Sequence, residues 1–118
     1  MKNILFVCSQ NRLRSPTAEQ IFADSPLFEV ASAGTNNDAE NPITGELIDW
    51  ADLIFVMEKH HRNRIQKRFR SSLNGKRLIV LDIADEYEFM DEGLIRLLKA
   101  KLVRFLPTVA QTSSTNRP

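Results

Sequence analysis

Four short apolar segments recur along the first 81 residues, at 3–7, 28–32, 53–57 and 78–81. They are apolar throughout instead of alternating with polar residues, which is typical of strands buried on both faces. Segments with helical spacing of apolar residues separate and follow them. The predicted helices begin after an N-cap at Ser15, after a cap at Thr44, and at residues 59 and 91. This alternation predicts an α/β fold, a three-layer sandwich with a four-stranded parallel sheet.

The length of 118 residues suits one compact domain with one core. We expect residues 1–106 to form this domain and the polar residues 107–118 to form a C-terminal tail. The apolar run at the N-terminus is too short for a membrane span or a signal-peptide core. The chain has a single cysteine, so no internal disulfide is available. These features predict a cytoplasmic protein that does not bind membranes.

The net charge of +1 hides an uneven distribution of charge. Every charged residue in the range 59–77 is basic, and every charged residue in the range 82–92 is acidic. The preferred interpretation is two solvated surfaces. The alternative is a basic surface that attracts anionic ligands. Because no aromatic residues are interleaved with the basic ones, we expect no nucleic-acid partner.

The segment CSQNRLRS, residues 8–15, lies between the first predicted strand and the first predicted helix. Ligands of parallel sheets bind beyond the carboxyl ends of the strands, and Cys8, Glu58 and Asp82 each follow such an end. A helix N-terminus there would bind an anion and stabilise a cysteine thiolate. Arg14 offers a planar pair of donors to two phosphate oxygens. Ser15 is expected to donate to the sulfur while capping the helix. The alternative is that Cys8 is a small buried residue, but its combination with Arg14 and Ser15 favours a reactive one.

Residues 8–16 resemble the C-x5-R-S-P loop of the low-molecular-weight protein tyrosine phosphatases. The segments SAGT (residues 32–35) and ADLIFVME (residues 51–58) are similar to two further segments of that family. The resemblance implies a phosphomonoester hydrolase in which Cys8 forms a cysteinyl phosphate. It implies that Arg14 and the loop amides hold the phosphoryl oxygens, while Ser15 supports the departing thiolate. The resemblance also implies that the residues between Cys8 and Arg14 bind the substrate, namely Ser9, Gln10, Asn11, Arg12 and Leu13. It implies in addition that Asn11 braces the loop. The implied ligands are a phosphorylated protein, a small phosphate ester, or a phosphate or sulfate ion in the loop.

The general acid is less clear, because the Asp-Pro pair of the family is absent. Asp82 directly follows the fourth predicted strand and is the preferred candidate. Asp85 is the alternative, since IADEY, residues 83–87, resembles the family segment around its acid.

The chain also departs from the family elsewhere. Gln10 replaces a usual glycine, which predicts a loop of different shape. Leu13 replaces a second cysteine that many members carry. The segment 35–44 is much shorter than in the family, which predicts that elements walling the family's substrate cleft are lost here.

Two other functions stay open, an arsenate reductase-like enzyme and a non-catalytic phosphate- or phosphopeptide-binding module. A reductase with an internal disulfide relay would need more cysteines. No cofactor is expected. No metal site is expected either, because His60 and His61 are adjacent on a helix and the chain has no second cysteine.

Overall fold

The computed structural model describes residues 2–106 of the chain. The strands are β1 (Lys2–Cys8), β2 (Phe28–Gly34), β3 (Leu53–Val56) and β4 (Arg77–Val80). The helices are α1 (Arg14–Phe22), α2 (Gly45–Trp50), α3 (Lys59–Arg68), α4 (Arg70–Leu73) and α5 (Glu92–Leu102). Each predicted strand is present, and each predicted helix is present with shorter or shifted ends. The predicted tail, residues 107–118, lies outside the described residues.

The four strands form one parallel sheet in the order β2-β1-β3-β4. Successive residues of β1 and β3 enter two different apolar cores, one on each face of the sheet. Ile4, Phe6 and Phe55 face α1 and α5, whereas Leu5 and Ile54 face α2 and α3. The predicted three-layer α/β sandwich is therefore confirmed, and the sandwich explains why the strands carry no polar alternation.

The beginning of α1 differs from the prediction. Leu13 occupies the N-cap position and no side chain caps the helix. Ser15 lies inside the first turn, where it is fully buried and hydrogen bonds away from the helix. The predicted capping role of Ser15 is thus wrong, because its hydroxyl is occupied by the loop that precedes the helix. Thr44, in contrast, caps α2 as predicted by accepting from the Leu47 N–H group.

The carboxyl ends of β1 and β3 and the N-terminus of α1 meet at one edge of the sheet. The segment 35–44 returns across this edge, where Gly34 and Pro42 form a bridge. In the described part of the chain, no helix combines the length and the apolar character that a membrane span requires.

Candidate active site

Cys8 ends β1 and is followed by a loop, residues 9–13, whose backbone amides are unpaired. The cysteine is 3% exposed. Within residues 2–106, no acceptor takes the N–H group of any residue from Ser9 to Leu13. Buried or half-buried backbone amides normally have a partner. Donors gathered around a sulfur at the start of a helix are suited to an oxyanion.

A chain of hydrogen bonds directs one hydroxyl hydrogen toward the Cys8 sulfur. The Asn11 amide nitrogen donates to Ser15 Oγ at 2.9 Å and to Ser32 Oγ at 2.8 Å. Ser32 in turn donates to the Glu19 carboxylate. Because Ser15 Oγ already accepts from Asn11, its own hydrogen can be donated to Cys8 Sγ at 3.0 Å or to the Ala33 carbonyl oxygen at 3.4 Å. The nearer of the two acceptors is the Cys8 sulfur.

Asn11 holds this position through its backbone as well as its side chain. Its φ is 57°, in the left-handed region that asparagine tolerates better than most residues. Its side chain is buried. The expectation that Asn11 braces the loop thus has a geometric basis.

Arg14 is anchored at one end of its guanidinium and open at the other. The side chain is 2% exposed, and its Nη1 atom donates to a Glu58 carboxylate oxygen and, at 2.7 Å, to the Ile83 carbonyl oxygen. Among the described residues, no acceptor hydrogen bonds to Nε or Nη2. Those two nitrogens form the edge that binds two oxygens of a phosphate at once.

The pairing also fixes the charge of Glu58. The Arg14 hydrogen bond holds the pKa of the Glu58 carboxyl below its usual range, although partial burial opposes this. Glu58 therefore stays ionised near neutral pH and compensates the buried guanidinium.

His61, on α3, is hydrogen bonded to the cysteine loop through Ser9. Its Nδ1 accepts the Glu58 N–H group at 3.0 Å, and its Nε2 lies 2.9 Å from Ser9 Oγ. Burial, helped by the positive charges of His60 and Arg14, lowers the pKa of His61 to about 3. The ring is thus neutral at pH 7, with its hydrogen on Nε2 and donated to Ser9. This leaves the Ser9 hydroxyl hydrogen available to a bound oxygen.

The two candidate acids lie in different places. An Asp85 carboxylate oxygen is 3.8 Å from Arg14 Nε, beside the open edge of the guanidinium. Asp82 follows the edge strand β4. It lines a surface groove together with Lys101, near the C-terminal end of α5, and Arg104, just after that end. The φ angle of Asp82 is 56°, and the residue lies between Leu81 and Ile83, which are both buried.

The remaining loop residues have distinct environments. The φ angle of Gln10 is not positive, so its backbone conformation does not require a glycine. The expected change of loop shape therefore has no cause in the backbone conformation of Gln10. Its carbonyl oxygen accepts the Glu40 N–H group. The Arg12 side chain is largely exposed, with Nε 3.5 Å from a Glu40 oxygen at the rim of the site. Leu13 is the half-buried N-cap of α1.

Glu58, His60 and His61 bring three possible metal ligands within 4.8 Å of one another. Both ring nitrogens of His61 are engaged, one with a backbone amide and one with Ser9. A metal ion on His61 would have to break one of these bonds. The cluster is therefore better described as support for the loop.

Sequence reasoning did not assign roles to Glu58 or His61. The spacing E-x-x-H was the available signal, because it places the two side chains in a capping box at the start of α3. It did not indicate that the histidine would also contact Ser9.

Comparison with known proteins agrees with this geometry. Residues 3–50 match the family model described as low molecular weight phosphotyrosine protein phosphatase. A search of curated protein sequences finds no match. The family match covers the loop, α1, β2 and α2.

Solved structures of low-molecular-weight phosphatases share the fold over most of the chain. The YwlE arginine phosphatase from Geobacillus stearothermophilus has 24% sequence identity and a TM-score of 0.71, over 100% of this chain and 98% of that one. The Erwinia amylovora tyrosine phosphatase AmsI has 25% identity and a TM-score of 0.72, over 92% and 93%. The tyrosine phosphatase Wzb from Escherichia coli K30, in complex with phosphate, has 23% identity and a TM-score of 0.71, over 89% and 96%.

The chain is therefore an α/β protein whose fold and cysteine loop are similar to those of phosphatases. The resemblance to the low-molecular-weight protein tyrosine phosphatases is confirmed, over residues 3–50 by the family model and over nearly the whole chain by the fold.

Gly34 generates the first prediction, because the loop backbone passes directly against it. A Cβ at this position would lie 2.5 Å from the Ser9 carbonyl oxygen and 2.6 Å from the Ala39 Cβ. We expect Gly34→Ala to displace the loop, to lower the free energy of unfolding by about 1–3 kcal/mol, and to weaken phosphate binding. Urea unfolding and phosphate titration measure both effects. Gly45→Ala is the control, since its nearest neighbour is the flexible Ser72 Oγ at 3.2 Å; an equal loss in the control would contradict the argument.

The buried His61 predicts a pH dependence of stability. Its pKa is about 3 in the folded protein and 6.5 in the unfolded chain, so below pH 6.5 only the unfolded chain binds the proton. The free energy of unfolding should therefore fall by about 2 kcal/mol between pH 7 and pH 5 through this group. His61→Gln keeps an acceptor for the Glu58 amide but removes the titration. Unfolding of both proteins at the two pH values measures the difference, and an equal pH dependence would show that His61 is not buried as described.

Proposed function

We propose that the protein is a phosphomonoester hydrolase that acts on phosphotyrosine through a cysteinyl-phosphate intermediate on Cys8. One observation carries the proposal: the loop that follows Cys8 has unpaired amides at residues 9–13, and it leads into the buried Arg14, whose Nε and Nη2 atoms have no hydrogen-bond partner among the described residues. Such an arrangement stabilises the charge that develops on a phosphoryl group during transfer. The family match over residues 3–50 supports the same reaction class.

In the first step the Cys8 thiolate attacks the phosphorus atom. The bond between phosphorus and the leaving oxygen breaks, and a proton passes from a carboxyl group to that oxygen. Arg14 and the loop amides hold the three phosphoryl oxygens. Ser15 donates to the sulfur while the thiolate is free.

In the second step a water molecule attacks the phosphorus of the cysteinyl phosphate. The bond between phosphorus and sulfur breaks, and the thiolate is restored. The carboxylate formed in the first step takes a proton from the water, so one residue serves as acid and then as base.

We propose Asp85 as this residue, in place of the Asp82 preferred from the sequence. Asp85 lies 3.8 Å from Arg14 Nε, next to the position that a bound phosphate would occupy. Asp82 lines a groove with the end of α5 and has no such relation to Arg14.

The choice of phosphotyrosine rests on the segment that carries Asp85. This segment also carries Tyr87, which is half-buried against the core, and Phe89, which is 50% exposed. An exposed aromatic side chain near the proposed acid suits an aromatic leaving group. The similar YwlE protein is named an arginine phosphatase, so phosphoarginine is a comparison substrate in the test.

A substrate screen tests the proposal. Wild-type protein should release phosphate from an aryl phosphate and from a phosphotyrosine peptide, and Cys8→Ser should release none. Phosphoserine, phosphoarginine and arsenate are the comparison substrates. Reduction of arsenate without phosphatase activity would favour the reductase alternative, and tight phosphate binding without turnover would favour a binding module.

The position of Asp85 predicts how the leaving group affects its variant. Asp85→Asn should slow hydrolysis of an alkyl phosphate by about 100- to 10,000-fold, because a poor leaving group needs the proton. A nitrophenyl phosphate, whose leaving group departs unprotonated, should be affected far less. Single-turnover rates with both substrates measure the difference.

Asp82→Asn is the matched control, since it makes the same chemical change three residues earlier. It should keep the wild-type dependence on the leaving group. If the two variants exchange these behaviours, Asp82 is the acid and the assignment to Asp85 is wrong.

A further inference from the structure

A second basic pocket lies next to the cysteine loop. It is lined by Arg64, Lys67 and Arg68 of α3 and by the segment 35–38 that follows β2. The three basic residues are spaced by three and one positions, so they share one side of the helix. Asp38 is the single acidic residue of this lining.

The guanidinium groups are held in place by the segment 35–38. Arg64 donates to the Asn36 side-chain oxygen at 2.6 Å, and Arg68 donates to the Thr35 carbonyl oxygen at 3.0 Å. Within residues 2–106, none of the three cations has a carboxylate within ion-pair distance. Arg64 and Arg68 are therefore held by neutral partners, whereas Arg14 is paired with a carboxylate.

A buried hydroxyl at this pocket is also unpaired. Thr35 is 2% exposed, and its Oγ1 atom has no hydrogen-bond partner among the described residues. A buried hydroxyl without a partner is costly. Together with the cations, it provides a donor for an oxyanion.

The pocket is connected directly to the cysteine loop. The Thr35 N–H group donates to the Cys8 carbonyl oxygen at 2.9 Å, and the Asn36 N–H group donates to the Ser9 carbonyl oxygen at 3.0 Å. Cys8 is paired in register with Gly34, and adjacent strands are about 4.8 Å apart. The lining of the pocket therefore begins directly beside Cys8, so an extended peptide held at the loop would reach the pocket within a few residues.

We infer that this pocket binds a second anionic group of the substrate, a carboxylate of an acidic residue a few positions from the phosphorylated one. The inference rests on the proposed function and specifies its substrate as an acidic phosphopeptide.

Binding by the Cys8→Ser protein tests the inference without turnover. Two phosphotyrosine peptides are compared by calorimetry. One has Asp, and the other Asn, at the second to fourth positions on both sides of the phosphotyrosine. The acidic peptide should bind about tenfold more tightly. The preference should disappear in Cys8→Ser protein that also carries Arg64→Gln and Lys67→Gln.

A charge-matched control separates local contact from general attraction. Arg96→Gln with Lys99→Gln removes two exposed positive charges from α5, which packs on the opposite face of the sheet. These changes should leave the preference intact. Equal loss in this control would overturn the pocket as the cause.

The remaining outcomes distinguish the inference from the proposed function. If wild-type protein hydrolyses a nitrophenyl phosphate but the two peptides bind equally, the second site is wrong and the proposed function stands. If neither peptide binds and wild-type protein hydrolyses neither peptide nor the nitrophenyl phosphate, both are wrong. With Cys8 intact, Arg64→Gln with Lys67→Gln should hydrolyse the nitrophenyl phosphate at the wild-type rate, which shows that the loop is undisturbed.

Discussion

The buried guanidinium of Arg14 is the interaction on which the site depends. Its Nη1 atom joins three parts of the chain, because the arginine begins α1, Glu58 follows β3, and Ile83 follows β4. A buried charge without partners would be strongly destabilising, so these segments must meet for the domain to be stable. The same contact leaves Nε and Nη2 without a hydrogen bond among the described residues. In the proposed function these two atoms bind the phosphoryl oxygens, while Nη1 holds the fold together.

The fold could be predicted because its cause is visible in the sequence. Strands covered on both faces have no polar alternation, and β1 and β3 show this over almost their whole length. Parallel strands also place their carboxyl ends at the same edge of the sheet. The proximity of Cys8 and Glu58 could therefore be predicted from the strand pattern alone. The short helix α4 was not predicted, because the predicted basic helix 59–69 corresponds to α3 and α4 follows it after Phe69.

The details of the site depend on contacts between distant residues, which a sequence pattern does not reveal. Serine is a common helix-capping residue, yet the Ser15 hydroxyl accepts from the Asn11 amide and contacts the Cys8 sulfur instead. Asp82 and Asp85 are three residues apart and equally acidic, and only the path of the chain after β4 separates them. The basic helix shows the same limit. Its charge was evident, but the preferred interpretation as a solvated surface did not include the segment 35–38 that orders two of its arginines.

The central claim is that Cys8 carries the phosphoryl group between substrate and water, held by Arg14 and the loop amides. The most direct measurement is mass spectrometry of the protein after rapid acid quenching during turnover of a nitrophenyl phosphate. We expect one phosphoryl group on the peptide that contains Cys8, formed and lost at rates consistent with turnover. We expect more of it in Asp85→Asn, in which water is not activated. Turnover with no phosphoryl group on Cys8, or undiminished turnover by Cys8→Ser, would contradict the account.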